Sequence, residues 1–144
     1  MVNLNIRKIE LKDFDFIYDS ICNLQNEKFE KKNFEKIFTS NISNPNYLYL
    51  IAENKTESIG FLSFHTQHLL HHSGIVGEIQ EFYLVPDKRG QGIGRKLVEK
   101  IFEFCDENNI ISIEVSTSKK RVDNIAVYEN LGFKLSHNKF TIYK

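Results

Sequence analysis

Apolar and polar residues change rhythm several times along the chain, and each change marks an element. Leu4 to Ile9 alternates, with Leu4 and Ile6 on one side and Asn5 and Arg7 on the other, which predicts a strand. Asp13 then stands where a helix cap belongs, ahead of Phe14, Ile17, Tyr18, Ile21 and Cys22 at helical spacing. A second helix carries Phe34, Ile37, Phe38 and Ile42 on its apolar face, and Ser43-Asn44-Pro45-Asn46 ends it. Tyr47 to Glu53 reads as a strand, Asn54 to Glu57 as a turn, and Ser58 to His65 as the antiparallel partner, continuing toward His68. After a turn at Ser73-Gly74, Ile75 to Val85 is a long strand apolar on both faces, as the middle of a sheet requires, and Pro86 stops it.

Gly92 to Glu107 repeats Ile93, Leu97, Val98, Ile101, Phe102 and Cys105 at a strong helical period. Ile110 to Val115 is a strand, and Asn124 to Leu131 a short helix ended by Gly132. Phe133 to Tyr143 is predicted to hold one or two closing strands that turn at His137-Asn138. The order β-α-α-β-β-β-α-β-α-β, with a final strand left open, places the chain in the α/β (α+β) class. Its 144 residues suffice for one domain over 1–144 with a real core.

Composition narrows the function classes. Apolar residues are 41% and charged residues 26%, the balance of a soluble globular protein. Nineteen Lys plus Arg offset nineteen Asp plus Glu, so no overall field points to nucleic acid or an anionic membrane. The two cysteines, Cys22 and Cys105, fall in apolar helical stripes and read as buried thiols of a reducing compartment. No stretch has the length of a membrane span, and Met1 to Ile6 is too short and polar for a signal peptide, so a cytoplasmic protein is expected.

The most informative segment runs from Val85 through Pro86-Asp87-Lys88-Arg89-Gly90-Gln91-Gly92-Ile93-Gly94-Arg95. A buried strand ends, a glycine-rich loop follows, and an amphipathic helix begins. Glycines let the backbone fold tightly and an anion come close. The free N–H groups of the helix's first turn point at that anion, the macrodipole adds to the attraction, and Lys88, Arg89 and Arg95 add charge. The arrangement is a pyrophosphate cradle. It is neither a dinucleotide fingerprint, whose third glycine position is Arg95, nor a P-loop, which Gly94-Arg95-Lys96 does not supply.

Arg89-Gly90-Gln91-Gly92-Ile93-Gly94 resembles the acetyl-coenzyme A signature of the GNAT superfamily. Phe82-Tyr83-Leu84-Val85-Pro86 is similar to that family's preceding strand, and Tyr128-Glu129-Asn130-Leu131-Gly132-Phe133 to its last helix and strand. The order of elements matches over essentially the whole chain. The resemblance implies a mixed, mostly antiparallel sheet with splayed central strands flanked by about four helices, and acetyl-coenzyme A as cosubstrate. It also implies a coenzyme site along Phe82 to Val85 and Arg89 to Arg95.

Acetyl transfer from a thioester to an amine makes definite demands. A base must take the amine's proton, a donor must hold the developing oxyanion, and the departing thiolate benefits from an acid. Glu78 and Glu81 on the central strand are the candidate bases; they face opposite ways in a regular strand, and a bulge would change the parity. Backbone groups near Leu84 and Val85 are expected to hold the thioester carbonyl and the pantetheine arm. Tyr128 is the candidate acid, since an unperturbed phenol, with a pKa of about 10, is protonated at neutral pH. The family's usual asparagine before the Gly-Phe pair falls here on Arg121, which is then free for phosphate or substrate; Asn124 lies out of register.

Ser63 to His72 holds four of the five histidines. Such density suits a solvated hairpin tip, a substrate pocket or a metal site, although adjacent His71 and His72 would point to opposite faces of a strand. His65, Gln67, His71-His72 and Gly77-Glu78-Ile79-Gln80-Glu81 together resemble the aminoalkylphosphonate N-acetyltransferases, as do Asn44-Pro45-Asn46, Ser116-Thr117, Lys120-Arg121 with Asp123, and Ser136-His137. That likeness implies a small primary amine bearing a phosphonate, contacts from His65, His71, His72 and Arg121, and help from a divalent metal. The alternatives are another amine (a polyamine, amino acid, aminoglycoside or protein N-terminus) and a module that binds acyl-coenzyme A without catalysis. A homodimer paired through a final strand stays open.

Overall fold

The computed structural model describes residues 3–144. Five strands, β1 (Asn5–Lys8), β2 (Tyr47–Glu53), β3 (Ser58–Leu69), β4 (Gly74–Leu84) and β5 (Ile110–Val115), form one sheet in sequence order. Neighbours are antiparallel except β4 and β5, which are parallel. The first connections are turns or pass through the helices α1 (Phe14–Gln25) and α2 (Lys31–Ile42). The last crosses over through α3 (Ile93–Glu107), as a parallel pair requires. A short α4 (Asp123–Asn130) follows β5.

Alternation in β2 and β3 sends side chains to two apolar layers. Ile51, Phe61 and Tyr83 meet Ile9, Ile17 and Phe38 under α1 and α2. On the other face Leu48, Leu50, Leu62, Phe64 and Ile79 meet Ile93, Leu97, Val98, Ile101 and Cys105 of α3. The ring of Phe64 lies directly over Gly77, where a Cβ would come within 1.9 Å of Cζ. Gly77→Ala must therefore displace a fully buried ring, and is expected to cost about 1–3 kcal/mol, read as a lower denaturation midpoint at unchanged m-value. Parent-like stability would mean that the ring has room to move.

Three sequence expectations are corrected. Asp13 precedes α1 but makes no side-chain cap bond to it; its carboxylate takes a two-pronged bond from Arg7 at 2.8 and 2.9 Å, and so ties β1 to the helix start. Ile37 is 53% exposed, so the apolar stripe of α2 is narrower than its spacing predicts. The closing strands over Phe133 to Tyr143 do not form: after Gly132, at a φ of 101°, the chain has no regular element. Its apolar phase switches between Leu135 and Phe140, so no single register keeps one apolar face over the whole segment.

Candidate active site

The site begins where the two parallel strands separate. β4 stays paired to β3 as far as Leu84, opposite Gly60, but it meets β5 only up to Ile79, opposite Val115. From Gln80 onward the β5 side of β4 has no partner strand among the described residues. The Val85 N–H donates to Ile59 O at 2.8 Å and so points toward β3. Alternation then directs the backbone groups of Leu84 and Phe82 into the gap. Arg89 Nε donates to Leu84 O there at 2.9 Å, leaving the two N–H groups as an open edge onto which an extended amide chain can add. Of the four residues expected along this stretch, Phe82 and Leu84 offer backbone to the gap. Val85 has spent its N–H on β3, and Tyr83 turns its ring under the α1–α2 layer.

Just beyond the gap, Pro86–Lys88 makes one 3-10 turn, Gly90 and Gly92 take left-handed φ values of 75° and 83°, and α3 starts. A Cβ at either glycine would meet nothing within 4 Å, so backbone angle and not crowding selects glycine there. Gly94 is different: its Cα packs on the Phe82 ring, where an added Cβ would lie 3.1 Å from Cζ. Lys96 N donates to Gly92 O as the first helical bond, which leaves the N–H groups of Ile93, Gly94 and Arg95 without a partner inside the helix. Arg89 lies over the Tyr83 ring at 5.5 Å, Arg95 donates to Asn130 O at 2.8 Å, and Gln91 donates to Asp87 O at 3.1 Å. A cavity of about 380 Å³ beside this turn is lined by Asn23, Leu24, Tyr83, Pro86 and Arg89.

A bulge sets the direction of the carboxylates. Ser63 pairs with Glu81 and Phe64 with Ile79, so Gln80 is the extra residue of β4. Glu78 pairs with His65, two residues from Ser63. Glu78 and Glu81 therefore share one face, that of α1 and α2, with Ser63, His65, Tyr47 and Tyr49, whereas a regular strand would have parted them. Ser63 is fully buried; its hydroxyl donates to the Glu81 carboxylate and accepts the Glu81 N–H at 2.9 Å. Burial pushes the Glu81 carboxyl above its usual range, and the Ser63 bond draws part of that back. Burial, with the Glu81 charge nearby, pushes the Tyr49 phenol up to about 12. The Tyr49 hydroxyl lies 3.0 Å from His65 Nε2 and accepts from Asn41 at 2.9 Å. Tyr47 stacks on His65 at 3.7 Å between centroids. Burial lowers the His65 pKa. Glu78 sits further out, 3.4 Å from the Ser116 hydroxyl in an exposed contact, and its neighbour across the parallel pair is Glu114.

The raised Glu81 pKa carries a sign. The folded chain holds that proton more tightly than the unfolded one, so the group's contribution is most favourable at low pH. It is lost as pH rises from the ordinary carboxylate range through the raised value. Glu81→Gln cannot titrate, and relative to the parent its stability is expected to improve across that window and stay improved above it. Thermal melts at a series of pH values measure the difference; parallel curves would contradict the burial account.

Tyr128 enters from α4. It is half-buried, edge-on to Phe133 at 6.0 Å, and burial lifts its phenol pKa while the Arg121 charge offsets part of the rise. Arg121 reaches across the cleft to donate to Leu24 O, at the end of α1, at 2.6 Å. Asn124 is tied to Thr117 Oγ1 at 3.0 Å. The four histidines of the hairpin do not converge. His65 is in the tyrosine cluster, and His72 lies 3.9 Å from Glu114. His71 is exposed beside His72, and His68 is exposed on β3. Among the described residues no three His, Cys, Asp or Glu side chains gather as a metal site.

Ser63, Tyr47, Tyr49 and Asn41 are site neighbours that sequence reasoning missed. The available signal was a single serine inside the apolar run Phe61-Leu62-Ser63-Phe64, and two tyrosines at strand spacing ahead of it.

Residues 11–133 match the model of the Acetyltransferase (GNAT) family. An aminoalkylphosphonate N-acetyltransferase from Salmonella typhimurium is 35% identical over 136 residues, 94% of this chain and 88% of the relative. The crystal structure of a transcriptional regulator from Bacillus halodurans superposes with a TM-score of 0.89 at 26% identity, covering 99% of this chain and 100% of the other. An aminoglycoside N-acetyltransferase in complex with CoA shares the fold at a TM-score of 0.88 and 15% identity, over 100% and 96% of the two chains.

Proposed function

Since the chain belongs to the GNAT family of acetyltransferases and is an N-acetyltransferase, we propose that it moves the acetyl group of acetyl-coenzyme A to the primary amine of a small aminoalkylphosphonate. The observation that carries the chemistry is the coincidence, at one point of β4, of the strand gap and the bulge. The open backbone edge that suits a pantetheine arm lies beside the face bearing two carboxylates. The substrate class rests on the Salmonella relative.

The residues present fit the coenzyme. The N–H groups of Ile93, Gly94 and Arg95, with the turns at Gly90 and Gly92, would hold its pyrophosphate. Arg89 and Gln91 border them, and Phe82 and Leu84 would take the amide arm. When bound, acetyl-coenzyme A supplies the acetyl group as a thioester. Glu78 accepts the amine's proton: reach decides before pKa, and Glu78 stands at the more exposed mouth whereas Glu81 is engaged by Ser63. Glu81 positions the buried cluster behind it. Tyr128, kept protonated by burial, gives its proton to the leaving sulfur, and Arg121 steadies the phenolate left behind. The phosphonate end meets Arg121, His65 and His72; exposed His71 takes no part. Residues 1–144 act as one domain in the cytoplasm.

A second reading has one observation in its favour. Glu114 shares the face of Glu78 and Glu81, and three carboxylates suit a polyamine. Thiol release from acetyl-coenzyme A with aminomethylphosphonate and with spermidine separates the two. A higher kcat/KM for the phosphonate is expected. Preference for spermidine would keep the acetyl transfer and move the substrate.

A further inference from the structure

A row of polar groups leads from the end of α2 onto the sheet, and its hydrogen bonds can run in one direction only. Asn41, in the last turn of α2, donates from Nδ2 to the Tyr49 hydroxyl at 2.9 Å. That hydroxyl has a single proton, and burial, by pushing the phenol up to about 12, keeps it there. Among the described residues the hydroxyl's other neighbour in hydrogen-bond reach is His65 Nε2, at 3.0 Å. With Asn41 donating in, the Tyr49 proton goes out to His65, and Nε2 is the bare, accepting nitrogen. Two further features hold the ring. Tyr47 stacks on it with 3.7 Å between centroids and 7° between planes. Thr66, the next residue of β3, binds Asn46 O through its N–H at 3.0 Å and its hydroxyl at 2.7 Å, which pins the register under the ring.

A neutral imidazole carries one N–H, and the partner of one nitrogen decides which nitrogen has it. Burial lowers the His65 pKa and so favours the neutral ring. Nδ1 has no partner among the described residues and is not sealed from solvent, and His65 stands opposite Glu78 on β4. We propose that Asn41 and Tyr49 are positioning residues that lock His65 as its Nδ1–H tautomer, so that the ring offers a donor and never an acceptor to a phosphonate oxygen of the substrate. The donor half rests on the substrate reading above; the tautomer half does not. The lock selects between substrates. A bare nitrogen at that place would repel an anionic oxygen and welcome an ammonium group; an N–H does the reverse.

Long-range ¹H–¹⁵N spectra of the full chain, recorded above neutral pH without substrate, report which ring nitrogen is protonated. His65→Ala assigns the cross-peaks among the five histidines. The parent should show a protonated Nδ1 and a bare Nε2. In Asn41→Asp the new carboxylate takes the Tyr49 proton, the hydroxyl then accepts from His65, and the tautomer should reverse to Nε2–H. Should that variant fail to fold, Tyr49→Phe decides, since without its donor the ring should lose the single-tautomer pattern. A parent with Nε2–H, or a tautomer that the folded variant leaves unchanged, overturns the proposal; a merely structural Asn41 or Tyr49 would lower stability without moving these shifts. Aminomethylphosphonate then tests the donor. It should move the His65 Nδ1–H resonance, and its KM should rise about tenfold in Tyr49→Phe, the worth of a hydrogen bond to a charged group, with kcat near the parent's. An unmoved resonance in a protein that acetylates this compound overturns the donor role. If the compound is not acetylated at all, the substrate reading fails and takes the donor role with it, while the tautomer result stands on its own.

Discussion

Glu78→Gln is expected to lower kcat by about 10²–10⁴-fold, the usual worth of a positioned base, with the melting temperature and the affinity for coenzyme A left near the parent's. The bulge at Gln80 is the reason. It turns Glu78 onto the same face as Glu81, one residue before Ile79, the last of β4 to pair with β5, so its carboxylate stands beside the opening of the gap. Glutamine keeps the volume and the contact with Ser116 and removes only the ability to take a proton. A free alkylamine is mostly protonated near neutral pH, so the loss should ease as pH rises and more neutral amine is delivered from solution. If Glu81→Gln has the larger effect on kcat instead, the proton goes to the buried carboxylate, and Glu78 serves only to shape the mouth.

Tyr128→Phe is expected to reduce kcat by about 10²-fold or more, with the dissociation constant of coenzyme A unchanged. The ring packs edge-on against Phe133, a contact that phenylalanine keeps, so the variant should fold like the parent. What it loses is a phenol whose proton burial retains and whose anion Arg121 steadies. Pre-steady-state thiol release and calorimetry with coenzyme A separate these quantities. Equal losses in turnover and binding would mean that the hydroxyl holds the coenzyme and does not protonate it.

Much of this was legible in the sequence. β2 and β5 have the limits their apolar runs predict, and the helix after Gly92 begins where its period begins. The cradle was readable because it is local: Gly90, Gly92 and the first turn of α3 lie within a few residues of each other, and glycine marks the left-handed φ values directly. Register is not local. That Gln80 is extra, and that Glu78 and Glu81 consequently share a face, depends on which residues of β3 lie opposite, which β4 alone cannot state. Ser63 escaped notice for the same reason; only its pairing with Glu81 makes a buried serine part of the site. The histidines misled through proximity in sequence, since a long strand and a 3-10 turn spread His65, His68, His71 and His72 along the hairpin. Phe133 to Tyr143 carries strand alternation, but its apolar phase switches between Leu135 and Phe140, and no single register serves the whole segment.

The most direct test of the central claim is to identify the product. The protein is incubated with acetyl-coenzyme A and aminomethylphosphonate, the phosphonate is followed by ³¹P NMR, and free thiol is counted in parallel. One N-acetylated phosphonate for each thiol released is the expected result. Thiol without acetylated phosphonate, or no consumption of either reactant, would contradict it.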